Sequence, residues 1–335
     1  MRGLHTSAKR GASAGLSRAR RFWGEAVNGL REIWRGGVNT WECDEMGHMN
    51  VRFYVERMME GLMAFAPFVG LGRAFRPGAP ATVLPAEQHV KFLKEAHAGA
   101  PLFMTGAVTR VGDADADIVQ ILHHAADAAP AATFLTRIVH VEASTGAPFA
   151  WSAATRTALE AALAAIPEVA APRSLVFGAP PALADHPRKQ ALGLTPITRV
   201  PVRADQCDGL GRLRPEWFIA RVSDGVPNML AGWREAVGRT AGGVARVGAA
   251  VLEYRLLYRA WPQAGDVLDI ASGVMWVKEK THALSHWITD PVGGGAWCTC
   301  EAVAITLDLD ARKAISTPPA QRAELGARAI AGLSA

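Results

Sequence analysis

Cysteine is scarce, with four residues (Cys43, Cys207, Cys298 and Cys300) in a chain of 335. That excludes a disulfide scaffold, and since no CxxC pairs with a second CxxC or with an HxxxH, the common zinc modules are excluded too. We expect no metal and no cofactor. The close pair Cys298-Thr299-Cys300 lies in an alternating apolar stretch and reads as strand. Long apolar runs are equally absent, because Arg, Asp, Glu or Pro interrupts every Ala-rich stretch before the roughly 18 residues that a membrane helix requires. The N-terminal stretch has no apolar core of a secretion signal, so a cytoplasmic location is expected.

What remains is a core-forming chain, half hydrophobic and 20% charged, long enough for about two domains. Its formal charge of +5 is unevenly spread. Residues 1–36 hold eight basic groups against Glu25 and Glu32, which leaves 28 basic and 29 acidic groups in the rest. A neutral body without a helix-turn-helix or zinc pattern argues against nucleic acid as a partner. Within the basic extension, Leu16, Phe22, Trp23, Val27, Leu30, Ile33 and Trp34 are spaced like one face of a helix. A solvated extension packing one amphipathic helix, a basic helix seeking an anionic membrane surface, and an organellar presequence all fit that pattern.

The chain also repeats itself. Glu42 to Leu62 aligns without gaps, at an offset of 164, with Gln206 to Val226. Cys43, Asp44, Gly47, Arg57 and Gly61 recur as Cys207, Asp208, Gly211, Arg221 and Gly225, while Tyr54/Phe218 and Glu60/Asp224 keep chemical type. A helical pattern follows each motif, and then come three alternating stretches bounded by turn residues. These are 102–111, 117–124 and 133–141 in the first half, and 267–277, 282–289 and 296–307 in the second. An Ala-rich helix over 153–165 and a Pro/Gly/Ala connector over 167–196 lie between the halves, and a last helix runs from about Pro319 to the end.

Each helix must bury its apolar stripe (Phe53, Val55, Met58, Leu62 and Phe65 in the first) against the sheet that follows it. The expected fold class is therefore α+β, two curved antiparallel sheets each wrapped round a central helix. The expected divisions are a basic amphipathic extension at 1–36, a first unit at 37–150, a helix and linker at 151–195, a second unit at 196–312 and a C-terminal helix at 313–335.

The stretch from Trp41 to Tyr54 contains Asp44-x-x-Gly47-His48-Met49-Asn50, followed by an aromatic pair. On these residues the chain resembles the acyl-CoA thioesterases of the hot-dog fold, the 4-hydroxybenzoyl-CoA thioesterase group, and it does so in two fused copies. The resemblance implies a double hot-dog hydrolase of acyl-CoA, with each site at the junction of two units. It implies that Asp44 is the nucleophile or base, that the Val51 amide helps polarise the carbonyl, and that Glu60 stands where some related enzymes carry a catalytic carboxylate.

The residues themselves agree with that chemistry. Asn50 precedes a helical pattern and is a natural N-cap, which leaves the Val51 and Arg52 amides for an oxyanion. Asp44 lies just upstream, and His48 can orient water or the leaving thiolate. Gly47 and Tyr54 complete the motif and join Glu60 as candidate substrate contacts. In the second copy Arg212 replaces His48, Arg214 replaces Asn50, and Pro215, which has no N–H, replaces Val51. That copy is expected to be degenerate, with Arg212, Arg214 and, less directly, Lys91 and Lys94 as candidate phosphate contacts. Two alternatives stand beside a hydrolase. A non-catalytic acyl-thioester binding or scaffold protein would explain the degenerate copy. An enoyl-thioester hydratase would resemble Asp-x-x-x-x-His, against the shorter Asp44–His48 spacing here. The fused halves should form a pseudo-dimer within one chain, monomeric or assembled further as a homo-oligomer.

Overall fold

The computed structural model describes residues 29–240 and 247–335. The first half runs β1 (Arg31–Gly37), α1 (Val51–Phe65), β2 (Ala81–Phe92), β3 (Pro101–Val111), β4 (Asp115–His124) and β5 (Pro130–Glu142). Two short helices follow, α2 (Ala153–Glu160) and α3 (His186–Ala191). The second half repeats the plan with β6 (Thr195–Pro201), α4 (Pro215–Thr240), β7 (Val247–Tyr258), β8 (Val267–Val277), β9 (Thr281–Thr289) and β10 (Ala296–Asp308). β11 (Lys313–Ala314) and α5 (Pro319–Gly326) close the chain.

The strands form one antiparallel sheet in the order β1-β3-β4-β5-β2-β7-β10-β9-β8-β6, with β11 beside β10. That order is a palindrome about the β2–β7 pair, where Glu87 to Lys91 run against Leu257 to Glu253. Each half is a five-stranded sheet around its helix, the double hot-dog expected, and the two sheets are fused edge to edge. Bulges recur at equivalent places, Val108/Arg110 against Val274/Trp276 and Glu32/Trp34 against Pro196/Thr198. Each bends its strand, so the sheet curls over the helix. The buried stripe of α1 (Val55, Met58, Leu62, Phe65) faces that curl.

Three expectations need correction. The helical face drawn through Leu30, Ile33 and Trp34 fails from Arg31 onward, because β1 pairs with β3 from Arg31↔Gly106 to Gly37↔Pro101. Over five residues a helical and an alternating pattern coincide, and the free edge of β3 decides for strand. Leu16, Phe22, Trp23 and Val27, and with them any membrane-surface helix, lie outside the described residues. The Ala-rich helix stops at Glu160 rather than 165, and the last helix stops at Gly326.

The connector is no loose linker. Residues 171–179 cross the outer face of the β2–β7 seam, where Lys91 Nζ donates to the Ala171 carbonyl at 2.7 Å and Glu253 accepts the Arg173 and Ser174 amides, both at 2.7 Å. Glu87 accepts the Gly178 amide at 2.8 Å and the Arg255 guanidinium at 2.7 Å. These contacts satisfy charges that the seam would otherwise bury alone. Cys298 and Cys300 are buried strand residues of β10. Among the described residues no helix is long and apolar enough to cross a membrane.

Candidate active site

The loop before α1 is shaped by its own polar residues. The Asp44 amide donates to the His48 carbonyl at 2.9 Å and the Gly47 amide to the Asp44 carbonyl at 3.0 Å. Gly47 makes the turn at φ +78°, a left-handed conformation that favours glycine. One carboxylate oxygen of Asp44, Oδ1, accepts the Met46 amide at 2.9 Å. The other, Oδ2, has no partner among the described residues. Glu42 ties the loop to the helix by accepting the Asn39 amide at 2.8 Å and pairing with Arg57.

Asn50 is the cap expected, its Oδ1 accepting the Arg52 amide at 3.0 Å while its carbonyl accepts the Phe53 amide at 2.9 Å. Val51, the first helical residue, keeps an amide with no partner among the described residues. Asp44, His48, Asn50, Val51 and Tyr54 line one end of a cavity of about 560 Å³. The cavity runs into the second half, between α4 (Val226, Leu230) and the inner faces of β9 and β10 (Leu284, Ala304). Tyr54 is buried there, edge-on to Phe92 at 5.1 Å, and burial pushes its phenol up.

His48 is buried among charges that its neighbouring sequence does not announce. Its Nε2 lies 3.2 Å from Glu95 Oε2 and also meets the Arg312 guanidinium, which is itself 3.5 Å from Glu95. His97 stands edge-on at 5.4 Å and hydrogen-bonds the Gly47 carbonyl through Nδ1 at 3.0 Å. Burial lowers the His48 pKa, Glu95 opposes that and Arg312 reinforces it. A neutral ring can accept from Arg312 or donate to Glu95 through Nε2, but not both at once.

The remaining candidates are placed elsewhere. Glu60 does not line the cavity; it pairs with Arg57 at 3.1 Å. Its repeat equivalent Asp224 does line it, because the pseudo-twofold arrangement puts the carboxylate of one helix opposite the loop of the other. Arg212 and Arg214 stay on the second loop, 3.8 Å from Asp208 and 3.2 Å from Glu216 respectively, away from the cavity. Lys91 is spent on the Ala171 carbonyl, and Lys94, at the cavity rim, pairs with Asp127 at 2.7 Å. The second loop copies the first bond for bond. Asp208 Oδ1 accepts the Leu210 and Arg212 amides at 2.8 and 3.0 Å, and Gly211 turns at φ +81°. It then enters α4 through Pro215, which offers no amide.

Sequence reasoning missed Glu95, His97, Asp224, Arg234 and Arg312. Only Asp224, through its alignment with Glu60, carried any signal.

A family model described as the thioesterase-like superfamily matches residues 38–171 and 202–325, leaving out the strap between them. No curated protein matches the chain at a significant level. Among solved structures, the chain is similar to the 12:0-ACP thioesterase from Umbellularia californica, at TM-score 0.64 and 12% identity over 83% of this chain and 94% of that one. It is also similar to an acyl-ACP thioesterase from Bacteroides thetaiotaomicron, at TM-score 0.58 and 12% identity over 83% and 98%. Identities this low speak for the fold.

Proposed function

Because the chain belongs to the thioesterase-like superfamily, we propose that it hydrolyses acyl-CoA thioesters at a single competent site built on Asp44 and the start of α1. Superfamily membership supports thioester hydrolysis in general. The finer reading rests chiefly on one observation, the unpartnered Asp44 Oδ2 and the unpartnered Val51 amide opening onto one cavity.

In this reading the thioester carbonyl points at the Val51 amide, where the helix N-terminus stabilises negative charge on oxygen. Asp44 attacks the carbonyl carbon, or takes a proton from a water that does so. The carbon–sulfur bond breaks and the thiolate of CoA leaves and is protonated; where water attacks, the carboxylic acid forms directly, and where Asp44 attacks, a water then hydrolyses the mixed anhydride, freeing the acid and restoring the Asp44 carboxylate. His48, held neutral by burial, orients water or the departing sulfur. The acyl group lies in the cavity beyond, inside the second half.

Since the cavity draws on both halves, one chain holds a whole site, and the fused pair replaces the dimer contact. We place the activity in the cytoplasm. The test is a thiol-release assay over acyl-CoA and acyl-ACP panels. Release of free CoA is expected; hydration of an enoyl-CoA without thiol release, or binding without turnover, would refute hydrolysis. Turnover of acyl-ACP alone would keep hydrolysis and correct the carrier.

A further inference from the structure

The cavity that starts at Asp44 ends against a wall that is not apolar. β9 turns His282, Leu284 and His286 towards it. By register, the matching positions of β4 are Ala116, Ile118 and Gln120, since Gly106↔Gln120 in the first half corresponds to Ser272↔His286 in the second. His282 and His286 are 2% and 0% exposed, and neither ring's Nε2 has a hydrogen-bond partner among the described residues. His286 Nδ1 is 2.6 Å from the Ser272 hydroxyl, and with that hydroxyl donating, Nε2 carries the proton and is a donor. Burial pushes His282 down to about 4 and His286 to about 3, so both rings are neutral.

Arg234 joins them from α4. It lines the same cavity, its buried Nε makes no hydrogen bond, and no carboxylate is within ion-pair range of it among the described residues. Glu45, on the surface loop, is the acid whose field reaches it. Water can satisfy an imidazole N–H, but it does not neutralise a guanidinium that has no ion-pair partner among the described residues. Three side chains that line one chamber each carry a polar nitrogen with no hydrogen-bond partner among the described residues, and one of the three is cationic, a set that suits an anion.

Resting on the hydrolase reading above, we propose that the chamber takes an acyl group with a carboxylate at its far end, which pairs with Arg234 and accepts hydrogen bonds from His282 and His286. The preferred substrates are then monothioesters of dicarboxylic acids. A phosphate would also suit Arg234. With the carbonyl at Val51, however, the carrier and its phosphates leave on one side and the acyl chain enters the chamber on the other.

The experiment is calorimetric titration of the full-length Asp44→Asn protein with succinyl-, adipoyl- and suberoyl-CoA, each against its butyryl, hexanoyl or octanoyl counterpart. At least one dicarboxylic ester should bind tenfold or more tightly than its counterpart, and Arg234→Met in the same background should reduce that ratio below about threefold. Arg234→Met should also raise the melting temperature of the free protein, because it removes a half-buried charge with no ion-pair partner among the described residues. Arg234→Gln, which keeps a polar stem, provides the same ratio if the Met variant does not fold. Equal affinities in all three pairs, or a preference that survives both substitutions, overturns the proposal. So does an Arg234 effect that vanishes when S-acyl pantetheines replace the CoA esters, which would assign the residue to a phosphate. A dicarboxylic preference in binding with no thiol release by the unsubstituted protein would uphold the chamber and refute the hydrolase reading.

Discussion

Arg312 meets the His48 ring across 264 positions of sequence, bringing the turn after the last long strand onto the loop before α1. That turn is built for the purpose. Asp308 Oδ1 accepts the Asp310 and Ala311 amides, both at 2.9 Å, and Arg312 adopts φ +52°, a left-handed conformation that costs a non-glycine residue about 1 kcal/mol. The second half thus contributes to the first site a wall, a carboxylate at Asp224 and a cation at Arg312.

Arg312→Gln should lower kcat/KM about tenfold at neutral pH, the equivalent of one positioning hydrogen bond to a charged group, about 1.5 kcal/mol. The pH profile separates this role from a structural one. Arg312 disfavours a charged His48, so its removal raises the His48 pKa, and the ring becomes protonated at higher pH than before. The acid limb of the kcat/KM profile should move to higher pH; a uniform loss with an unmoved limb would contradict the coupling.

Ile33 tests the reassignment of the segment before the loop. Its side chain is fully buried in β1 and reaches the notch left by two glycines, so that a Cβ built on Gly106 would stand 2.7 Å from Ile33 Cδ1 and one on Gly61 3.3 Å from it. Ile33→Ala should cost about 3 kcal/mol in guanidinium unfolding with the slope unchanged, as for other buried truncations. A loss under about 0.5 kcal/mol would return this segment to a dispensable extension.

Much of this was legible beforehand, for physical reasons that differ by residue. The strands of both meanders could be read from their β-type patterning and the turn residues between them, although β4, β9 and β10 are buried on both faces. β2 and β7 escape the pattern because Glu87, Lys91, Glu253 and Arg255 are buried beneath the strap and paired there. Asp44, Asn50 and Val51 could be read because a turn, a cap and a helix start are local events. Arg234 and Arg312 could not, since the fusion of the sheets brings them to a cavity shared with the first half, and Glu95 could not, since its approach to His48 is a tertiary contact within that half. Glu60 pairs with Arg57 on its own helix, while its repeat equivalent Asp224 lines the cavity beside Asp44, a placement across the pseudo-twofold that no linear motif records.

Two of the buried histidines, His282 and His286, make stability depend on acidity in a defined window. Their folded values, about 4 for His282 and about 3 for His286, lie below the ordinary value of 6.5, so between these limits the unfolded chain binds protons that the folded one refuses. Stability is therefore complete above about pH 6.5 and falls as the pH drops, by about 2 kcal/mol per ring between pH 7 and 5. Asp117 and Asp269, which burial raises but arginine or lysine partners pull below the usual range, add their loss only further down, near pH 4 and below. His286→Gln installs the residue that the first half carries in the same register. It should remove about half of the histidine-linked loss in melts compared at pH 7 and 5, and an unchanged difference would show that the ring titrates as if exposed.

The two loops offer a sharper comparison, because they share every backbone bond and differ at the helix start. Asp44 has the Val51 amide beside it, whereas Asp208 has Pro215. One oxyanion donor is worth roughly 3 kcal/mol, or about a hundredfold in kcat. Asp44→Asn should lower kcat by at least that factor with melting unchanged, while Asp208→Asn should alter it only a few fold. The decisive variant is Val51→Pro. Proline is accepted at the first helical position, as Pro215 already demonstrates in the second copy, so the helix and the cap should persist while the donor disappears. If the Val51 amide holds the oxyanion, Val51→Pro should fall about a hundredfold in kcat with KM little changed, and combining it with Asp44→Asn should cost far less than the product of the two losses. Full activity in Val51→Pro would remove the helix start from the mechanism, and equal losses from the two Asp→Asn substitutions would show that the second loop is no relic.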